Sequence, residues 1–257
     1  MNEDKIINYY NKFNENKRMT HRHAIVEYET ANYYLHQYLK PGMKIIDIGA
    51  GTGVYSIPLS NEGYEVTSVE LVKHNLKYIE EYPHIKTYLR NAIDLHGIKN
   101  NSYDIVILFG PMYHLLTHEE QIKAMMEAKR VLKDDGIIFV SYIMNEYAII
   151  KHGFMEHQII NEINNNLVDD SFHIIHDKDD LYTMYRLEDI DLINQECGLK
   201  RIKIISQDGL TDYIRKNIND LSNEEFKVYL DYHLKVCERY ELLGFSSHVL
   251  DIIKKDY

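Results

Sequence analysis

Between residues 43 and 145, short apolar blocks alternate with longer stretches in which apolar residues recur three and four positions apart. The blocks "MKIIDIG", "YEVTSVE", "IKTYLRN", "YDIVILFG" and "DDGIIFVSYIMN" read as strands. "YDIVILFG" is apolar on both faces, as a central parallel strand requires, and the fifth block follows an Asp-Gly turn. The intervening stretches "VYSIPLSNEG", "LVKHNLKYIEEY" and "THEEQIKAMMEAKRVL" read as helices. Pro58 interrupts the first and Gly63 stops it. The last opens on a Thr cap with Glu three residues later. Two helices precede the alternation, "INYYNKFNEN" and "HAIVEYETANYYLHQYL", the second closed by Pro41-Gly42.

Residues 146–186 break the rhythm with a long helical pattern, "EYAIIKHGFMEHQIINEINNN", and then a polar stretch rich in His and Asp. It resumes with the helix "RLEDIDLINQECG" and the strand "LKRIKIISQ". A helical excursion over about 209–244 and a last strand, "SSHVLDIIKK", complete the chain. The expected fold is α/β: a Rossmann-like, doubly wound, mostly parallel seven-stranded sheet with N-terminal helices and helical cap insertions. The expected units are an N-terminal helical lid over 1–40, a core over 41–145 and 187–257, and a cap insertion over 146–186.

Composition narrows the classes. The 257 residues carry a formal charge of −11, which argues against a broad nucleic-acid surface. No apolar run approaches the length of a membrane span, and the polar first residues lack a signal-peptide core, so a cytoplasmic protein is expected. Cys197 and Cys237 stand far apart and read as ordinary reduced thiols. Nothing fixes an oligomeric state.

Chemistry is concentrated after the first strand. Gly49, Gly51 and Gly53 form G-x-G-x-G, and a dinucleotide fingerprint would need glycine where Val54 stands. In a doubly wound sheet this loop lies at the carboxyl edge of the strands, where ligands bind. Glu70 ends the second strand, placed to accept from both hydroxyls of a ribose. At the end of the third, Asn91 and the backbone of Ala92 are placed to read an adenine edge.

The stretches "DIGAGTG", "VTSVE", "RNAIDL", "YDIVILFGPMYHLL" and "EAKRVLKDDGIIFVSYI" resemble motifs I to VI of the class I S-adenosylmethionine-dependent methyltransferases. "GPMYHLL" and "LGFSSHVLDIIKK" resemble a subgroup with "GPLYHL" after strand four and "LG-S-H" near the last strand. The family usually has Asp where this chain has Asn91, and Asn still accepts through its carbonyl oxygen. The resemblance implies S-adenosylmethionine as cofactor, with Asp47, Gly49, Ala50, Gly51 and Gly53 at its methionine end. It places Glu70 and Leu71 at the ribose, and Asn91, Ala92, Phe109 and Gly110 around the adenosine. Tyr9, Tyr10 and Arg22 would close over the cofactor, unless the N-terminal helices are simply a surface pair.

The implied reaction is methyl transfer by in-line displacement, in which alignment supplies most of the acceleration. The candidate catalytic residues are His114, as a base, and Tyr113; the competing roles are a structural hydrogen bond and packing against the adenosine. No metal is expected: His152, His157, His173 and His176 read as a solvated cap edge. A cap over the strand ends suits a small-molecule acceptor with an aromatic or apolar body. The missing Asn/Asp-Pro-Pro-Tyr/Phe signature counts against RNA and protein acceptors. A catalytically inactive S-adenosylmethionine-binding module is the third reading.

Overall fold

The computed structural model describes residues 3–12, 18–177 and 179–256. Helices α1 (Glu3–Tyr10) and α2 (Arg22–His36) precede the alternation β1 (Lys44–Ile48), α3 (Ser56–Asn61), β2 (Glu65–Glu70), α4 (Lys73–Glu80) and β3 (Lys86–Leu89). Then come β4 (Tyr103–Leu108), a 3-10 turn (Pro111–His114), α5 (His118–Val131) and β5 (Leu132–Ile143). After an irregular insertion, α8 (Leu187–Glu196) and β6 (Leu199–Ser206) lead through α9 (Arg215–Asp220) and α10 (Asn223–Val236) to β7 (His248–Lys255).

The seven strands order as β3-β2-β1-β4-β5-β7-β6. The pairs from β3 to β5 are all parallel, and β7 enters antiparallel between β5 and β6. From β1 the chain winds one way to β2 and β3, then crosses back to β4 on the other side. That reversal is the switch point, and it leaves a crevice beyond the ends of β1 and β4. Ile45, Ile46 and Ile105 to Leu108 are inaccessible to solvent, as expected for strands covered on both faces. One face packs against α5 and α8 through Met125, Ala128, Ile190 and Ile193; the other packs against α2 and α4 through Tyr34, Leu35, Leu76 and Ile79.

Local chemistry explains most boundaries. Pro58 sits in the first turn of α3, where its missing N–H removes no helical bond. Thr117 and Glu120 form the capping box that starts α5. Asp135-Gly136 is not a turn before β5 but lies inside it, where the register against β4 jumps from Tyr103–Leu132 to Ile105–Ile137. A Cβ on Gly136 would stand 2.6 Å from Leu132 Cδ1, so the bulge needs glycine.

The insertion departs from its expected single helix. α6 (Asn145–Ala148) runs into a π-helical turn (Ile149–Met155), and α7 (Ile159–Asn164) follows after His157, whose φ is 60°. His152 pairs with Glu156, and His173 with Asp189 at 3.2 Å, so these histidines brace the insertion. The first helix runs from Glu3 to Tyr10 rather than over 7–16; residues 13–16 of that expectation lie outside the described residues. Among the described residues no helix is long and apolar enough to cross a membrane.

β7 is anchored by Asp251, fully buried, which accepts from Arg201 Nε at 2.6 Å and Asn194 Nδ2 at 2.6 Å. Asp251→Ala strands the partly exposed Arg201 and should lower unfolding free energy by roughly 2–4 kcal/mol. Urea denaturation with an unchanged m-value checks this.

Candidate active site

The crevice opens into a cavity of about 420 Å³, of the size that holds a drug-sized ligand. Its floor is the loop after β1. Gly49 has φ +78°, and a Cβ there would lie 2.6 Å from the Pro111 ring, so glycine lets the β4 turn close against the loop. Gly51 has φ +55°, and a Cβ there would meet no atom within 4 Å. Its backbone therefore faces open space, which a ligand can approach without a side chain intervening.

Glu70 holds this loop in place. Its two carboxylate oxygens accept from Gly51 N at 2.7 Å and Val72 N at 2.8 Å. Burial pushes its pKa up, against the pull of those N–H bonds. Leu71 N–H and the Asn75 side chain also bond it, so the carboxylate is held from several sides at the cavity edge. Beneath the loop, Asp47 accepts from Ser56 Oγ at 2.7 Å. Burial, with the nearby Glu70 charge, raises Asp47 to about 7 despite the Ser56 bonds.

At the β3 end, Asn91 Oδ1 accepts from Ile93 N at 3.2 Å, while Nδ2 donates to Glu3 at 2.6 Å. Asparagine can donate to Glu3; an ionised aspartate could not. Nearby, the buried Nε of Arg90 has no hydrogen-bond partner among the described residues.

The roof comes from three segments. Tyr10 Oη donates to His114 Nε2 at 2.8 Å, and His114 Nδ1 donates to the Leu181 carbonyl at 2.8 Å. Burial lowers the His114 pKa to about 4, outweighing the Leu181 bond. His114 is thus a neutral ring with both nitrogens engaged, at the junction of α1, the β4 turn and the insertion. Tyr113 and Tyr182 pack beside it.

The far end of the cavity is lined by charged pairs absent from the sequence expectations. Glu27 accepts from Arg18 at 2.8 Å; although burial opposes it, Arg18 and then His248 hold the Glu27 pKa below its ordinary value. Asp212 accepts from Arg215 Nε at 2.6 Å and from the Tyr147 hydroxyl. His248 Nδ1 donates to Asp208 Oδ2 at 2.7 Å. Burial would lower the His248 pKa, but the Asp208 and Glu27 charges outweigh it and hold it at about 9. Glu27, Asp208 and His248 each bring one ligand-type atom within 4.8 Å of the others.

Of the residues expected at the site, Asp47, Gly49, Ala50, Gly51, Glu70 and Leu71 line the cavity. So do Asn91, Ala92, Phe109, Gly110, Tyr113, His114 and Tyr10. Gly53 does not: it faces Ile57 and Ile79 and serves packing beneath the loop. Tyr9 stands behind Tyr10, edge-on at 5.1 Å. Arg22 turns away, donating to the Asn219 carbonyl and the Asn223 side chain, so it does not close over the cavity.

A family model described as a methyltransferase domain matches residues 46–140. The chain is 33% identical over 120 residues to a ribosomal protein L11 methyltransferase of Dictyoglomus turgidum, covering 44% of this chain and 36% of that one. It is 27% identical over 143 residues to a ubiquinone biosynthesis O-methyltransferase of Rickettsia typhi, covering 53% and 56%. The chain thus spans between about a third and just over half of these relatives. A solved S-adenosylmethionine-dependent methyltransferase of Methanosarcina mazei superposes with TM-score 0.59 at 13% identity, covering 87% of this chain and 97% of that one. The chain has the class I S-adenosylmethionine-dependent methyltransferase fold. The residues present fit S-adenosylmethionine: a glycine backbone open to a ligand, a strand-end carboxylate, and an Arg90 Nε without a partner among the described residues line one cavity.

Glu70→Ala should release the Gly51 and Val72 N–H groups. The expected result is a stability loss of about 2 kcal/mol and loss of amide protection at both residues, read by denaturation and hydrogen exchange.

Proposed function

We propose that this chain is an S-adenosylmethionine-dependent methyltransferase whose acceptor is a small molecule, methylated by in-line displacement. The observation that carries the reading is the partly enclosed cavity, whose lining includes both the Gly49–Gly51 loop and the charged pairs around His248. When bound, S-adenosylmethionine supplies a methyl group already activated on its sulfonium. The chain's work is to hold and orient. The side-chain-free backbone at Gly51 lets the methionine end lie against the loop. Asp47 accepts from the ammonium, Glu70 from the ribose hydroxyls, and Asn91 and Ala92 flank the adenine. Tyr113, Tyr182 and the Tyr10–His114 pair keep water from the transfer and set the acceptor's approach.

The roof favours a compact acceptor, because a macromolecular one would have to enter past Tyr10 and Tyr182. Similarity to a ribosomal protein methyltransferase favours a protein acceptor as the second reading. Fractionation separates them. With purified protein and S-adenosylmethionine, the fraction of a cell extract passing a 3 kDa filter should support S-adenosylhomocysteine formation. Turnover with the retained fraction alone would favour the protein reading.

On this reading residues 1–40 form a lid, residues 146–186 a cap, and 41–145 with 187–257 the core. S-Adenosylhomocysteine should then raise hydrogen-exchange protection over 3–12 and 146–186 more than over the sheet.

Asp47 gives the pH dependence its sign. Its pKa of about 7 means that falling pH protonates the carboxyl that must face the ammonium. Cofactor affinity should weaken by up to about tenfold per pH unit below 7 and level off above it. Asp47→Asn should flatten the profile in calorimetry between pH 5.5 and 7.5.

A further inference from the structure

We propose that His248, with its tautomer fixed by Asp208, receives the proton that the acceptor loses on methylation. The acceptor class is then one whose nucleophile carries a proton: a hydroxyl, a thiol or an ammonium group. This rests on the methyltransferase reading and deepens it.

The geometry begins with the direction of β7. Because β7 runs antiparallel between β5 and β6, its first residue, His248, pairs with Ile143 at the last residue of β5. The carboxyl edge of the sheet therefore receives the start of β7 and the loop after β6 together. Asp208, in that loop, is 3% exposed. Its Oδ1 accepts from His248 N at 2.8 Å and from Ser246 Oγ at 3.1 Å, and its Oδ2 accepts from His248 Nδ1 at 2.7 Å. The carboxylate is thereby fixed by backbone and side chain, and the imidazole by the carboxylate. In the neutral ring, with Nδ1 donating, Nε2 carries the lone pair. His248 lines the cavity, and no described residue takes a hydrogen bond from or gives one to Nε2. His114 offers no such atom, since Tyr10 and Leu181 engage both of its nitrogens.

In the reaction the acceptor's lone pair forms the bond to the methyl carbon. The carbon–sulfur bond breaks with its electrons passing to sulfur, and the acceptor's proton passes to Nε2. Asp208 acts through His248 and is a positioning residue; it also stabilises the imidazolium formed. The charged groups facing His248 are Asp208 from the loop after β6, Glu27 from α2 with its partner Arg18, and Asp212 before α9 with its partner Arg215. Together they give His248 its high proton affinity, and that makes it protonated at neutral pH in the ligand-free protein. A cationic sulfonium in the same cavity opposes that proton. Cofactor loading therefore raises the fraction of molecules with a free Nε2 by about tenfold, whereas S-adenosylhomocysteine, which lacks the charge, does not.

The test follows the His248 ring by NMR, assigned with His248→Gln, in the free protein and with S-adenosylmethionine or S-adenosylhomocysteine at saturation. The expected midpoint is near 9 in the free protein and with S-adenosylhomocysteine. It should be lower by about one pH unit with S-adenosylmethionine, the shift a like charge produces across a cavity of this size. Asp208→Asn should lower the free-protein midpoint and leave S-adenosylhomocysteine affinity within about twofold, whereas a purely structural Asp208 would move affinity and folding instead. Equal midpoints with the two ligands, both bound, would overturn the role of His248 and leave the methyltransferase reading standing. Failure of either ligand to bind in calorimetry would overturn both.

Discussion

A strand that ends in a buried carboxylate needs something to donate to it, and a glycine loop that turns sharply needs something to hold it. In this chain each satisfies the other. Glu70 receives the N–H groups of Gly51 and Val72, joining the ends of β1 and β2 through one side chain. The ladder fixes where the two strands end, with Ile48 opposite Val69. The loop is then held open at Gly51, where its backbone meets no side chain, and closed at Gly49, where Pro111 packs. The floor of the cavity, the β4 turn that carries Tyr113 and His114, and the placement of Asp47 all depend on that joint.

The electrostatics divide the cavity into two unlike ends. Around the loop, the acids Asp47 and Glu70 are buried close together and both have raised pKa values. That end holds proton affinity in reserve for a cationic ligand group to displace. At the other end Arg18–Glu27, Arg215–Asp212 and His248–Asp208 are matched pairs whose charges nearly cancel. Matched pairs keep a polar lining without a strong net field, so a ligand at that end would be selected by where its donors and acceptors fall more than by its overall charge.

The parts of this arrangement that were legible in the sequence are those governed by local pattern. β1 to β5 show in the alternation, and β4 most plainly, since a strand covered on both faces must be largely apolar. The loop glycines and Glu70 show because their spacing is set by one strand-turn-helix unit and the next strand. The capping box at Thr117 is read from four residues. The insertion after β5 was not legible as built, because a π-helical turn and the positive φ of His157 depend on packing rather than period. Arg22 resembled a lid residue until α9 and the start of α10 were seen to engage its guanidinium. The His248–Asp208 pair was hidden because it exists only if β7 runs antiparallel. Residue 248 stands at the reactive edge for that reason alone, and the sequence does not print strand direction. The one available signal was a histidine opening the last strand directly after "LGFSS".

His114 joins residues that are 104 and 67 positions away from it along the chain, through Tyr10 and Leu181. Contacts closing such long loops carry a large entropy penalty and gain little until the sheet that supports them exists. The roof therefore depends on a finished floor, and it rests on a few hydrogen bonds rather than on a ladder. The same bookkeeping runs in reverse in the native state. Opening the roof would break only those few bonds, whereas opening the sheet would break the ladders of seven strands, so the two carry very different free-energy costs.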